Sequence, residues 1–328
     1  MKKSIARTER IERFLDRVTG QHSDQGNPRV KQVVRRIVGD LYRTIEDLDI
    51  RPDEFWKAIS YLTRAGQTRE LGLISPGLGF DHFLDLRMDA MDEEAGVVGG
   101  TPRTIEGPLY VAGAPIAKGE ARLDDGKEPG EILFMMGRVL SIDGHPLEGA
   151  IVDVWHADTH GNYSFFDPSQ TEFNLRRRIE TDSQGYYRFR SIMPRGYGVE
   201  PGGATDTLLE SLGRHGQRPA HIHFFISARG HRHLTTQINI AGDPLLHDDF
   251  AFATRDGLIP EVVRKSGPGE LIERGVDAPY AEVHFDFVLH PSTAAELETV
   301  VDRERPVGDG AERPSTRRDR PRSARADR

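Results

Sequence analysis

The run Arg218-Pro219-Ala220-His221-Ile222-His223-Phe224 carries two imidazoles two residues apart. On a β-strand such residues point to one face, so His221 and His223 project together and make half of a metal site. The spacing alone has little specificity, because a hydrogen-bonded structural pair has the same pattern. Three other clusters compete with it. His231-Arg232-His233 repeats the spacing but follows Arg229-Gly230, a turn signal. His247-Asp248-Asp249 offers carboxylates for a facial iron(II) triad. His156 ends a strand-like run behind Asp153 and Trp155, near Asp158 and His160. Each of these three reads more simply as a surface or packing feature.

The chain contains no cysteine. That excludes disulfides, thiolate nucleophiles, iron–sulfur clusters and Cys-ligated zinc, so any metal must be held by His, carboxylate or Tyr oxygen. Two tyrosines lie in glycine-flanked settings. Tyr163 sits in the loop Asp158-Thr159-His160-Gly161-Asn162-Tyr163-Ser164-Phe165-Phe166-Asp167, and Tyr197 sits between Gly196 and Gly198. Bare backbone beside Tyr197 permits close approach to another group. Singly, each tyrosine reads as a packed ring with a hydrogen-bonded hydroxyl. Taken with His221 and His223, the two phenolates form a set suited to iron(III), a hard cation that favours anionic oxygen.

The elements that must position these residues change character along the chain, and the expected fold is mainly β with an α-helical N-terminal domain. Residues 1–98 read as helical. Asn27-Pro28 is an N-cap followed by Pro at the first helical position, and apolar residues recur at helical spacing from Val30 to Leu48. Further helices are expected from Pro52-Asp53-Glu54 and over Phe83 through Met91. Residues 99–300 read as a β-sandwich catalytic core, with short strands between turn signals. The strands expected are Ile132–Leu140, Ala150–His156, Tyr186–Ile192, His221–Ala228, Leu234–Ala241 and Glu282–Leu289. Residues 301–328, rich in Arg, Pro, Asp and Ser, cannot bury enough apolar surface to offset chain entropy and read as a disordered tail.

Composition narrows the class of protein. With 37% hydrophobic and 29% charged residues and a formal charge of −8, this is an ordinary globular chain and not a general nucleic-acid binder. The N-terminal residues lack the apolar run of a signal peptide, and no stretch reaches the roughly eighteen apolar residues of a membrane helix. A cytoplasmic location, without membrane insertion, is therefore expected.

Several segments together resemble the intradiol ring-cleavage dioxygenases, and within them most of all the catechol 1,2-dioxygenase branch. They are Thr101 through Tyr110, Val154-Trp155-His156-Ala157-Asp158, Asn162 through Asp167, Gly196-Tyr197-Gly198, Gly213-Arg214-His215-Gly216, Arg218 through His223, and Leu234 through Asn239. The resemblance spans about residues 28 to 290. It implies one Fe(III) per chain, held by Tyr163, Tyr197, His221 and His223. It implies Arg218 as a charge-stabilising catalytic residue, Gln237 as a substrate-orienting one, and Tyr197 as an acceptor of substrate protons. Pocket walls are implied at Leu73, Pro76, Ile105, Pro108, Leu109, Phe250 and Ala251. Val199 stands where many catechol-cleaving relatives carry Cys, which bears on substrate scope.

The implied reaction takes catechol and O2 to cis,cis-muconate in aromatic degradation by the β-ketoadipate route. The implied assembly is a homodimer through the N-terminal helices, with a phospholipid held at the interface. Dioxygenases for chloro- or alkylcatechols or for hydroxyquinol are the neighbouring alternative. A non-catalytic transthyretin-like β-sandwich module is the alternative of another class, suggested by Gly144 through Ala150 and Thr181 through Tyr187. An iron(II) extradiol enzyme fits less well, since no carboxylate accompanies His221 and His223 in the matched segments.

Overall fold

The Asn27 side chain accepts the backbone N–H groups of Arg29 and Val30 at 2.9 and 3.2 Å, so a helix starts where the Asn-Pro pair predicts. In the computed structural model, which describes residues 4–127, 129–292 and 305–308, residues 1–69 form one compact unit. Its helices are α1 (Glu9–Val18), α2 (Pro28–Asp47) and α3 (Pro52–Gln67). Helix α1 has no counterpart among the expected elements. Its Glu12 and Asp16 bind Arg35 of α2 at 2.8 and 2.6 Å.

Residues 70–328 form the second compact unit, which takes in residues 70–98 as well as the β-rich region after them. The reason is polar. Helices α4 (Leu71–Gly77) and α5 (Phe80–Glu94) open this unit. Glu70, just before α4, accepts the N–H groups of Ala204 and Thr205 at 3.0 and 2.8 Å, at the start of α6 (Ala204–Ser211). On α5, Asp89 pairs with Arg103 and Arg255, and Asp92 with Arg103 and Arg232.

The strands are β1 (Ile116–Lys118), β2 (Glu120–Arg122), β3 (Ile132–Ser141), β4 (Ile151–His156), β5 (Arg176–Glu180), β6 (Tyr186–Ile192), β7 (Tyr197–Gly198), β8 (Gln217–Arg218), β9 (His221–Ser227), β10 (Leu234–Asn239), β11 (Val263–Lys265), β12 (Tyr280–His284) and β13 (Phe287–Leu289). A last helix, α7 (Pro268–Arg274), precedes β12. One sheet has the order β1-β5-β4-β9-β10 and the other β11-β12-β3-β6-β2, while β7 pairs with β8 alone. Apolar side chains from both sheets fill one core, among them Val152, Val154, Ile222, Phe224, Leu133, Met135, Tyr187, Phe189 and Val283. This is a sandwich of mixed sheets on a helical lead-in, the architecture expected from the alternation of short strands.

Two departures have physical causes. The run expected as one strand over Glu282–Leu289 is divided, because the Arg138 N–H of β3 donates to the Asp286 side-chain Oδ1 at 2.7 Å in place of a ladder carbonyl. There the bare Gly137 is required, since a Cβ would lie 1.7 Å from Phe285 O. Strand β5, Arg-Arg-Arg-Ile-Glu, has no apolar alternation to reveal it. The tail also needs a correction over four residues. Ala112 N–H donates to Pro306 O at 2.9 Å and Gly308 N–H to Ala112 O at 3.2 Å, so residues 305–308 lie against the sandwich. Residues 301–304 and 309–328 lie outside the described residues.

Candidate metal centre

Strand β9 sorts its side chains with period two. Ile222, Phe224 and Ile226 enter the core between the sheets, which leaves His221, His223 and Phe225 on the opposite face. All three are still buried, because loops cover that face. In the ladder His223 lies between Trp155 of β4 and Gln237 of β10. A row of Trp, His and Gln thus crosses three strands.

The two tyrosines come from loops held close together. Asp158 organises the first loop by accepting N–H bonds from His160 and Asn162 at 2.8 Å and a bond from Gln170 at 2.9 Å. Two residues beyond Tyr163, Phe165 takes φ of +74°, a left-handed conformation that side chains rarely adopt. Tyr197 pairs with Arg218 in the β7–β8 ladder. Gly161 must be bare for the two loops to meet, since a Cβ there would lie 2.8 Å from Tyr197 Cβ. Gly196 must be bare as well, with Arg218 O only 2.4 Å from where its Cβ would be.

The result is a cluster of four rings. Tyr163 and Tyr197 stand edge to face with centroids 5.4 Å apart, Tyr197 and His221 lie 5.4 Å apart, and His221 and His223 lie 4.6 Å apart. His221 Nδ1 lies 2.7 Å from Pro219 O, which can only accept, so this nitrogen carries the proton and Nε2 is a bare lone pair. That lone pair faces His223 Nε2 at 3.1 Å. Burial, then the Arg218 charge, pushes His221 down to about 3. Burial, then His221, pushes His223 well below its usual range. Both imidazoles are therefore neutral near pH 7, the form a metal requires.

Tyr163 Oη is buried with no hydrogen-bond partner of acceptable geometry. Burial, and after it the adjacent Tyr197 phenol, raises its ionisation well above the ordinary value of 10.0. A phenolate at this position needs a strong cation in contact. The orphaned hydroxyl, the neutral imidazoles and a second phenol fit a hard trivalent metal. Among the described residues no group of three or more His, Asp or Glu gathers, so the site exists only if phenol oxygen is counted as a ligand.

Arg218 supplies the fixed charge. Burial opposes its cation, but Asp249 and the two phenols hold it firmly protonated. It donates to His221 Nε2 at 3.0 Å and to Gln237 Oε1 at 2.9 Å. Gln237 donates in turn to Asn239 Oδ1 at 3.1 Å. The apolar residues expected as walls fall into two groups. Ile105, Val199, Phe250 and Ala251 pack together, with Leu73 against them. Pro76 is buried on the same helix as Leu73, and Leu109 packs against the cluster of Trp155, Ala157, Tyr163 and Phe225. Pro108 Cβ lies against Gly72.

The competing clusters separate cleanly. His231 is at an edge, bridged to Pro291, and His247 is exposed. His156 is fully buried, with Ala157 O and Ser191 Oγ each 2.7 Å from its ring nitrogens. Two participants escaped the sequence reading. Asp249, seen there only as part of a surface triplet, is the counter-ion of Arg218. Trp155 stacks on His223, planes within 8°. Only its place two residues before Ala157 in a matched segment hinted at a role.

Residues 105–291 match the family model described as Dioxygenase, and residues 27–96 the one described as Catechol dioxygenase N terminus. Catechol 1,2-dioxygenase 2 of Acinetobacter lwoffii is 64% identical, over 77% of this chain and 92% of that protein. The solved catechol 1,2-dioxygenase of Acinetobacter sp. ADP1, inhibited by bound mercury, superimposes with a TM-score of 0.90 at 51% identity. It covers 93% of this chain and 100% of its own. A hydroxyquinol 1,2-dioxygenase of Rhizobium sp. is more distant, 32% identical over 85% of this chain and 95% of that protein. With both models matched in order and relatives of this identity along most of its length, the chain belongs to the catechol dioxygenase family.

Proposed function

We propose that Tyr163, Tyr197, His221 and His223 hold one iron(III) per chain, and that the chain cleaves catechol between its hydroxyl-bearing carbons to give cis,cis-muconate. Both atoms of O2 enter the product, so no external reductant is consumed. The observation that carries this reading is the buried, unpartnered Tyr163 hydroxyl beside two neutral imidazoles. Iron(III) held by these four residues would supply Lewis acidity toward the oxygens of a bound catechol.

The protein's own residues do the rest. Tyr197, less deeply buried than Tyr163, would start as a phenolate beside the metal and become the neutral phenol on taking a proton from a catechol hydroxyl at Oη. Tyr163 stays in place beneath its covering loop. Arg218, unable to deprotonate, stabilises negative charge on the ring and then on oxygen. Gln237, fixed between Arg218 and Asn239, orients the substrate. Leu73, Pro76, Ile105, Pro108, Leu109, Val199, Phe250 and Ala251 give a flat aromatic ring an apolar bed and exclude water.

Catechol is preferred over substituted catechols and hydroxyquinol because the relatives sharing half or more of the residues carry the catechol name. A scaffolding sandwich has no use for an orphaned buried phenol. The reading extends to a cytoplasmic homodimer with a lipid at its interface. Its support is the exposed apolar residues of the N-terminal unit, among them Val30, Ile37, Leu41, Trp56 and Leu62, and no described helix is long and apolar enough to cross a membrane.

The test is product analysis from catechol under oxygen, with iron counted per chain. Muconate and about one iron are expected, with His221→Ala and His223→Ala losing both and His231→Ala retaining them. Stoichiometric zinc with intact catechol would overturn the reading.

A further inference from the structure

His223 has no hydrogen-bond partner on its buried Nδ1. Contact holds the ring instead, with Trp155 stacked on it at a centroid distance of 5.0 Å. Trp155 Nε1 is also buried without a partner, so its plane is set by packing too. Tyr110 and Phe225 meet it edge-on at 4.9 and 4.8 Å. Over those two rings lies a cation from far along the chain. The Arg305 guanidinium is 5.7 Å from the Tyr110 centroid and 5.3 Å from that of Phe225.

The same guanidinium grips Glu106 through two parallel bonds, Nε and Nη2 to the two carboxylate oxygens at 2.9 and 3.0 Å. Glu106 stands between the pocket-wall residue Ile105 and Gly107, where a Cβ would lie 3.6 Å from His223 Cε1. Two routes thus run from Arg305 to one imidazole, one through stacked rings and one through the wall segment. The flanking bonds between Ala112 and residues 306 and 308 anchor the strap that carries Arg305.

We propose that Arg305 is a positioning residue for the metal and catechol site, acting through Glu106 on residues 105–109 and through Tyr110, Phe225 and Trp155 on the His223 ring. This rests on the function proposed above. The pair is partly exposed, with Arg305 30% and Glu106 11% accessible, so its effect on global stability is small. Its effect on alignment is larger, because bidentate pairing fixes direction as well as distance.

The test uses full-length protein: wild type, Arg305→Ala, Arg305→Lys, and the exchanged pair Glu106→Arg with Arg305→Glu. Three properties are measured: KM and kcat for catechol, the visible tyrosinate–iron absorption, and amide hydrogen exchange of residues 104–112. Arg305→Ala is expected to keep its iron, to speed exchange in that segment, to shift the absorption band and to raise KM about tenfold with a smaller change in kcat. Arg305→Lys, which cannot bond in parallel, should fall between, and the exchanged pair, which restores the ion pair but puts a carboxylate over Tyr110 and Phe225, should recover slow exchange in residues 104–112 while the absorption shift persists. Unchanged exchange in both single variants would show that no clamp exists. Faster exchange with unaltered KM and absorption would reduce Arg305 to a structural role, and either result overturns the proposal. Failure of the underlying function is seen separately, as wild-type protein that binds iron and leaves catechol intact.

Discussion

Arg218 donates to both carboxylate oxygens of Asp249 at 3.1 Å, and the two side chains are 4% and 2% accessible. Asp249 also accepts the N–H groups of Ala251 and Ala253 at 3.0 and 3.3 Å. One carboxylate therefore ties the buried Arg218 cation to the backbone of residues 251 and 253.

Removing that carboxylate leaves a buried guanidinium without a counter-ion. Asp249→Ala should lower stability by about 3–5 kcal/mol, the usual cost of breaking a buried pair from one side. Asp249→Asn, which keeps an acceptor, should lose less. Urea unfolding measures both. A loss under about 1 kcal/mol for the alanine variant would mean that solvent reaches the pair.

The orphaned phenol makes a prediction with opposite signs in two states. In iron-free protein Tyr163→Phe removes an unsatisfied buried hydroxyl and should stabilise the fold by about 1–3 kcal/mol. In iron-loaded protein the same change should weaken metal retention and remove much of the visible absorption. Thermal unfolding before and after chelation reads the first effect. Destabilisation of the iron-free variant would show that Oη has a partner.

Val199 is buried among Ile105, Leu209, Phe250 and Ala251 and has no polar side-chain atom. Its influence is steric. Val199→Cys should change the ratio of kcat/KM between catechol and 3- or 4-methylcatechol without abolishing cleavage, by about 1–3 kcal/mol at most. Identical ratios in both proteins would remove Val199 from the pocket.

Burial lowers His156 from 6.5 to about 4. Between those values the unfolded chain binds a proton that the native protein refuses, so stability rises with pH through the window and falls on acidification. Asp153 works the other way. Burial raises it from 3.8 to about 7, the native state keeps a proton there, and its contribution is lost as pH rises. Comparing His156→Asn with wild type isolates the first effect. Their stability difference should change by about 3 kcal/mol between pH 6.5 and 4. A parallel pair of curves would show that His156 titrates normally.

Local signals made much of this legible. The Asn27-Pro28 start, the alternation in β9 and the glycines around Tyr197 each have a cause within a few residues. Residues joined only by the fold were not legible. Nothing in the spacing of 218 and 249 marks an ion pair, and β5 hides because its arginines face covering loops and do not alternate with apolar residues. Arg305 was lost for the same reason. Composition describes a segment's average, whereas its docking depends on one carboxylate, Glu106, nearly two hundred positions earlier.

The division of labour along β9 gives the chain a form of proofreading. Imidazoles occupy one face and Ile222, Phe224 and Ile226 the other, so a pairing error of a single residue would push both histidines into the hydrocarbon interior and set the apolar side chains against the polar groups beneath the covering loops. Such an error is rejected by the energetics of packing, long before any metal is offered. Folding correctly and presenting the two nitrogen donors are one event for this strand, and a chain that has closed its sandwich has already checked its chemistry.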